Sequence, residues 1–257
     1  MYEARHEGRV ILVTGAGSGI GAAIAEQYAR EGATLALVDV AQTALFEQAD
    51  KVRSMGACVA MAVGDVADFA TCERMHEQLV SELGTPIDTL INNAGISPKT
   101  NGKPANFWEM DPKEWSRVVG VNLNGAFNWA RVITPSMVAA KRGWIINMSS
   151  VAAKSFVTFT AAHYGTTKAA LIGFTRDLAG ELGPHGITVN AIAPGRIDTP
   201  LMRTASPATN EAVINETPLR RLGLPSEVAQ MSCFLTSPDS SFITGQVVDV
   251  AGGWLMS

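Results

Sequence analysis

Cysteine is scarce in this chain, with three in 257 residues. Cys58, Cys72 and Cys233 are odd in number, widely scattered and set in no CxxC or Cys/His ligand spacing. No disulfide framework and no metal site is implied, and buried, reduced thiols in a cytoplasmic protein are expected. Positive charge is in deficit too: 20 Lys and Arg face 24 Asp and Glu, for a net charge of −4. Such a chain offers no electrostatic footprint for nucleic acid or an anionic membrane. Long apolar runs are missing. None approaches the roughly 20 residues that cross a bilayer, and residues 1–8 have no apolar signal core. Repeats, low-complexity tracts and linkers are absent as well. What is present is 47% apolar and only 17% charged residues. That is the balance of a well-buried globular chain, long enough for one large α/β domain over residues 1–257.

The first half reads as a shelf for a nucleotide. Arg9-Val10-Ile11-Leu12-Val13-Thr14 is a short apolar, β-branched run, the signature of a buried strand. Gly15-Ala16-Gly17-Ser18-Gly19-Ile20-Gly21 follows directly, and a helical pattern covers residues 20–30. A bare glycine turn occurs in many βα units, but strand, glycine loop and helix in that order form the context of a dinucleotide-binding fingerprint. Glycine lets the backbone approach a diphosphate, and the helix N-terminus offers free N–H groups and partial positive charge. Thr34 to Asp39 reads as a second strand ending in an acid. A carboxylate about 20 residues past the loop binds the adenosine ribose hydroxyls. It also repels the extra phosphate of NADP. Val40 is not basic, and neither Ala16 nor Ser18 carries a cation, so NAD is the expected cofactor. Residues 57–63 and 87–91 are further strand candidates, followed by Gly64-Asp65-Val66 and Asn92-Asn93-Ala94-Gly95. Helical patterns fill the gaps, which makes the fold class α/β, a doubly wound parallel sheet covered on both faces. Ligands bind at the carboxyl ends of such strands, where Asp65, Asn92, Ala94 and Gly95 fall.

Tyr164 and Lys168 stand four residues apart in Tyr164-Gly165-Thr166-Thr167-Lys168, so on a helix they share a face. A phenol with a pKa of about 10 is a poor proton carrier at neutral pH. A neighbouring ammonium favours the phenolate and is expected to lower that value. The phenol can then exchange a proton with an alcohol or carbonyl oxygen. Many solvated helix faces carry Tyr and Lys at this spacing; the glycine loop upstream is what gives the pair weight.

Six segments together resemble the short-chain dehydrogenase/reductase family: Thr14-Gly15-Ala16-Gly17-Ser18-Gly19-Ile20-Gly21, Asn92-Asn93-Ala94-Gly95, Val121-Asn122-Leu123-Asn124-Gly125, Ile146-Asn147-Met148-Ser149-Ser150, Tyr164-Gly165-Thr166-Thr167-Lys168 and Pro194-Gly195. They stand in the family's order and span nearly the whole chain. The resemblance implies a single-domain Rossmann fold on seven parallel strands and a catalytic tetrad of Asn122, Ser150, Tyr164 and Lys168. Tyr164 would be the general acid/base and Ser150 would stabilise the charge developing on the reacting oxygen. Lys168 would lower the Tyr164 pKa and hold the nicotinamide ribose, and Asn122 would anchor a water in a proton relay. For the cofactor it implies contacts from Gly15, Ser18, Gly19, Ile20, Gly21 and Asp39, with Asp65 and Val66 at the adenine. Asn92, Ala94 and Gly95 would pack beside the adenosine. Pro194, Gly195, Ile197 and Thr199 would form the nicotinamide loop, although Thr199 before Pro200 also suits a helix cap. The activity implied is NAD-dependent interconversion of a secondary alcohol and a ketone.

A 3-oxoacyl thioester reductase acting on a carrier protein is the alternative. That branch usually prefers NADP and carries basic residues for its acidic carrier. Asp39 and Gly180 speak against it, while Lys141 and Arg142 leave it open. A non-catalytic nucleotide-binding scaffold is remote, because such chains commonly lose the Tyr, Lys or Ser. Residues 196–221, with Pro200, Pro207 and Pro218 and a small polar centre at residues 204–210, are expected to form a substrate loop and lid. Phe156 and Phe159 lie close enough in sequence to line a partly apolar pocket. His163 should point away from the catalytic face, in a surface or interface role. Gly173 and Gly180 lie on one face of a helix expected to end at Gly183-Pro184. Close packing there fits either the family's homotetramer or contacts within the subunit.

Overall fold

Seven short runs of aliphatic and β-branched residues form one sheet in which every neighbouring pair is parallel. The computed structural model describes residues 4–99, 102–200, 202 and 207–256. In chain order the elements are β1 (Val10–Thr14), α1 (Gly19–Arg30), β2 (Thr34–Asp39), α2 (Gln42–Ser54), β3 (Val59–Val63), α3 (Phe69–Leu83) and β4 (Thr89–Asn92). They continue with α4 (Pro112–Val119), α5 (Gly125–Ala140), β5 (Gly143–Met148), α6 (Ala162–Leu182), β6 (Ile187–Pro194), α7 (Pro207–Glu216), α8 (Pro225–Leu235) and β7 (Val247–Val250). The strands lie in the order β3-β2-β1-β4-β5-β6-β7.

The period-2 alternation of a strand explains the two cores. Val10 and Leu12 of β1 face one core, shared with Leu79 of α3, Trp129 of α5 and Leu182 of α6. Ile11 and Val13 face the other, shared with Tyr28 of α1, Leu45 of α2 and Val228 of α8. The strands are apolar throughout because helices cover both faces. The order runs outward in both directions from β1 and β4, so a crevice opens between their carboxyl ends. Register pairs Thr14 with Val38 and Val13 with Ile91, which brings the glycine loop, Asp39 and the Asn92-to-Gly95 segment to one edge.

Local signals set the boundaries. Asp68 caps α3 by accepting from the Thr71 N–H at 3.0 Å, and Gly84 closes it in the left-handed region at φ 66°. Asp111 caps α4 ahead of Pro112. Between α4 and α5 the chain winds through a π-helical segment, Gly120–Asn124, a rare geometry that recurs at functional sites. As expected, α6 ends at Gly183-Pro184. β3 starts later than the sequence suggests, because the Ala57 N–H turns back to the Val52 carbonyl at the end of α2. Cys58 sits in that turn and is exposed, unlike Cys72 and Cys233, which are buried as expected. No helix among the described residues is long and apolar enough to cross a membrane.

A buried ion cluster ties the segment before β1 to α1 and α8. Glu31 accepts from Arg5 at 2.8 Å and 3.0 Å, from Gln27 at 2.8 Å, and pairs with His6 Nδ1 at 3.0 Å. His6 Nε2 reaches the Thr236 hydroxyl at 3.1 Å. Cys233 lies close by, but Arg5 already pairs with the Glu31 carboxylate and the Arg9 charge acts on His6, which disfavours a metal cation there. Burial first, and the Arg9 charge second, push the His6 pKa down to about 4. An unfolded histidine titrates near 6.5. Between those values the unfolded chain binds the extra proton, so stability is full above pH ~6.5 and falls as the pH drops toward ~4. Urea unfolding should register this as a loss on the order of 2–3 kcal/mol. His6→Asn should flatten that part of the profile; an unchanged slope would remove His6 as its cause.

Candidate active site

The glycine loop is shaped by close approach. Gly15 has φ 64°, and a Cβ there would lie 2.9 Å from the Ala94 Cα. A Cβ on Gly21 would meet the Gly15 carbonyl oxygen at 2.0 Å. The two loops are knitted by hydrogen bonds: the Thr14 hydroxyl accepts from the N–H groups of Asn93 and Ala94 at 3.0 Å each. The Asn93 amide donates to the carbonyls of Thr14 and Gly15 at 2.9 Å and 3.1 Å. Ser18 occupies the N-cap of α1 but makes no side-chain capping bond. The first-turn N–H groups therefore have no protein cap, which suits an anion. Asp39 accepts from the Gly17 and Ala41 N–H groups at 2.9 Å each. From the far side, the Thr199 methyl would stand 3.4 Å from a Cβ on Gly19.

The catalytic residues converge at the other end. Ser150 follows β5 and Tyr164 and Lys168 sit on the first turns of α6. Lys168 is buried and its Nζ donates to the Met148 carbonyl at 2.7 Å; the same Nζ lies 5.7 Å from the centre of the Tyr164 ring. Ser149 is structural: its hydroxyl donates to the Lys168 carbonyl at 2.8 Å and fixes α6 to β5. Asn122 belongs to the π segment. It accepts from the Ile96 N–H at 2.8 Å and donates to the Ile96 carbonyl at 3.0 Å and to the Thr167 hydroxyl at 3.2 Å. Lys168 and Asn122 meet over Gly95, where a Cβ would lie 3.2 Å from the Lys168 Nζ.

The electrostatics correct one expectation. Burial raises the Tyr164 pKa above 10; the Ser150 hydroxyl and then the Arg196 charge pull it back. Lys168 is not among the groups that lower it. Burial instead drops Lys168 itself to about 8. Helical spacing places the ammonium on the same face, but it is turned to the Met148 carbonyl.

One cleft of about 370 Å³ joins the two ends, within the range of small-ligand sites. It is lined at the cofactor end by Gly15, Ser18, Gly19, Ile20, Asp39, Asp65 and Val66, and in the middle by Ala94, Gly95, Ile197 and Thr199. Ser150, Tyr164, Lys168, Pro194 and Gly195 line the rest. Three residues singled out by sequence stand behind its wall. Gly21 provides clearance, and Asn122 braces Ile96 and Thr167. Asn92 donates to Asn147 at 2.9 Å and to the Ala126 carbonyl at 3.3 Å; its neighbour Asn93 lines the cleft instead. Sequence reasoning missed Asn93, Lys99, Arg117 and the side chain of Arg196, all of which line it. Arg117 pairs with Asp65 at 2.5 Å. Thr199 also takes up its capping role in part, accepting from the Met202 N–H at 3.3 Å. His163 points away from the cleft, as expected, but is fully buried and paired with Glu114 at 2.8 Å, not on the surface. Of the expected lid, residues 201 and 203–206 lie outside the described residues; α7 follows them.

The family model described as enoyl-(acyl carrier protein) reductase matches residues 15–255. The chain belongs to the short-chain dehydrogenase/reductase family. It is 37% identical to the 3-oxoacyl-[acyl-carrier-protein] reductase of Thermotoga maritima, over 97% of this chain and 98% of that one. A 3-oxoacyl-[acyl-carrier protein] reductase of Brucella melitensis, solved with bound NAD, is 46% identical, with a TM-score of 0.94 over all of this chain and 94% of that one. A 7α-hydroxysteroid dehydrogenase solved with NADH and 7-oxo glycochenodeoxycholic acid is 31% identical, with a TM-score of 0.91 over 98% of this chain and 96% of that one. The family's members are oxidoreductases, and so is this chain.

Proposed function

We propose that the protein transfers a hydride between NAD(H) and an oxygen-bearing carbon, interconverting a ketone and a secondary alcohol. Its ketone is a 3-oxoacyl group. The observation that carries the reading is the cleft itself: a phenol flanked by a serine and a buried lysine at one end, and a glycine cradle with an acid at the other. The sequence put a general alcohol first and the 3-oxoacyl thioester second; the names of the relatives reverse that order.

The cradle fits a dinucleotide. Clearance at Gly15 and Gly21, the uncapped start of α1 and the carboxylate at the end of β2 supply space, diphosphate donors and a ribose acceptor. When bound, NADH supplies the hydride that makes the carbinol C–H bond. Tyr164 gives its proton to the carbonyl oxygen, so that C=O becomes CH–OH. Ser150 donates a hydrogen bond to that oxygen as charge develops. Lys168 stays mainly charged at neutral pH despite its burial and keeps the Tyr164 side of the cleft positive. Asn122 holds Ile96 and Thr167 in place behind it, where the proton relay begins. Burial favours the protonated phenol, the form that gives its proton when a ketone is reduced.

Cofactor choice rests on Asp39. Its carboxylate would repel a ribose 2′-phosphate, and the adjoining Val40 offers no cation. Asp39→Ala is therefore expected to shrink the ratio of kcat/KM with NADH to that with NADPH by at least about tenfold, one unit of log discrimination being about 1.4 kcal/mol. An unchanged ratio would take Asp39 out of the argument. A homotetramer completes the reading. A Cβ on Gly173 or Gly180 would meet nothing within 4 Å among the described residues; this open stretch of α6 is where we place the contact with a second copy.

A further inference from the structure

Arg196 stands where the chain leaves β6 and enters the cleft. Its backbone is fixed by the bridge between Ile197 and Gly223, with the Gly223 N–H donating to the Arg196 carbonyl at 2.9 Å. Its guanidinium lies over the Phe159 ring, 4.4 Å from the centroid, and Phe159 in turn stacks on Trp254 at 5.9 Å. Nε donates to the Asn210 side chain of α7 at 3.0 Å, as does Nη2. Nη1 has no acceptor among the described residues, and no carboxylate there lies within ion-pair distance of Arg196. Lys99 lines the same cleft, half-buried and likewise without an acidic partner among the described residues.

Two partly desolvated cations without counter-ions are costly in a protein. Each bears on the other: burial first, and the Arg196 charge second, lower the Lys99 pKa. The acids that line the cleft, Asp39 and Asp65, are engaged at the cofactor end. The planar guanidinium, held over an aromatic ring with Nη1 unbonded among the described residues, suits an oxyanion. Arg196 and Tyr164 line the same cleft, together with Phe159 under the guanidinium, so an anion seated on Arg196 shares that cleft with the reacting carbon.

We propose that Arg196, with Lys99 in the same cleft, binds a carboxylate carried by the substrate, so that the 3-oxoacyl group is reduced as the free 3-oxo acid and the thioester form named for the relatives is the poorer substrate. The inference deepens the proposed function and rests on hydride transfer at Tyr164. It keeps the 3-oxoacyl skeleton of the relatives' substrates but replaces the neutral thioester by a charged end. A thioester presents no charge at the acyl carbon itself, whereas the Arg196 guanidinium, stacked over Phe159 and bonded to Asn210 inside the cleft, calls for one.

The test compares 3-oxobutanoate with its methyl ester and its N-acetylcysteamine thioester, using NADH and a series of 2-, 3- and 4-oxo acids with their esters. At least one acid should exceed its ester by about 100-fold in kcat/KM. Arg196→Gln should cut that ratio at least tenfold, mainly through KM, while Arg196→Lys keeps part of it and the NADH dissociation constant stays within twofold. Esters or thioesters matching the acids, or an equal loss on acid and ester, would overturn the proposal. Butanoate, which has the carboxylate but no reacting oxygen, separates the two readings. It should shift the fluorescence of the NADH complex of the native protein and not of Arg196→Gln. Arg196-dependent butanoate binding without turnover of any ketone would sink hydride transfer alone; turnover without such binding would sink the carboxylate site alone.

Discussion

Replacing Tyr164 by Phe is expected to lower kcat/KM by about 10²–10⁴-fold, the usual worth of a positioned general acid, or roughly 3–5.5 kcal/mol of transition-state stabilisation. The ring stays in place against its neighbours, so NADH affinity and the unfolding midpoint should hardly move. Only the hydroxyl group, and with it the transferable proton, is removed. A variant with near-native turnover would reassign the acid. The pH profile gives a second readout. Burial raises the phenol above its ordinary value, so the protonated form needed to reduce a ketone is present through neutral pH. Oxidation of an alcohol needs the phenolate, and its rate should climb as the pH rises through the alkaline range. In Tyr164→Phe that climb should disappear.

The scaffold was legible in the sequence because its signals are local. Thr34–Asp39 was read to the residue, since a short apolar run ended by an acid marks both limits of a buried strand. The glycine loop was legible from its order between strand and helix. What escaped depends on distant segments meeting. His163 is buried by Glu114, 49 residues away. Arg196 is aimed by Phe159 and Asn210, which come from a loop and from α7. Asn92 and Asn93 differ in role because one ends a strand and the other leaves it; a one-residue shift exchanges the two faces. Spacing put Tyr164 and Lys168 on one face correctly. The direction of the phenol's pKa depends on how much protein surrounds it, and no spacing reports that.

Gly21→Ala should produce the largest structural effect of any single methyl added to the chain. The added carbon would stand 2.0 Å from the Gly15 carbonyl oxygen and 2.6 Å from the Asn93 amide. Neither can yield cheaply. Gly15 is itself held in the left-handed region at φ 64° against Ala94, and the Asn93 amide carries the bonds that tie the two loops together. Relief must therefore come from moving α1 away from β1, which opens the core around Ile24 and Tyr28. Overpacking of this kind costs about 1–3 kcal/mol and occasionally more, and here it also widens the cradle. NADH affinity should fall by at least about tenfold even where the fold survives, because the donors at the start of α1 leave their positions. Urea unfolding measures the first effect and NADH fluorescence titration the second. Gly173→Ala is the control, placed on an open helix face where a methyl meets nothing in this chain. On an isolated subunit it should stabilise by about 1 kcal/mol. A Gly21→Ala protein with native stability and native NADH affinity would mean that α1 and β1 are not packed as described, and the cofactor cradle would go with them.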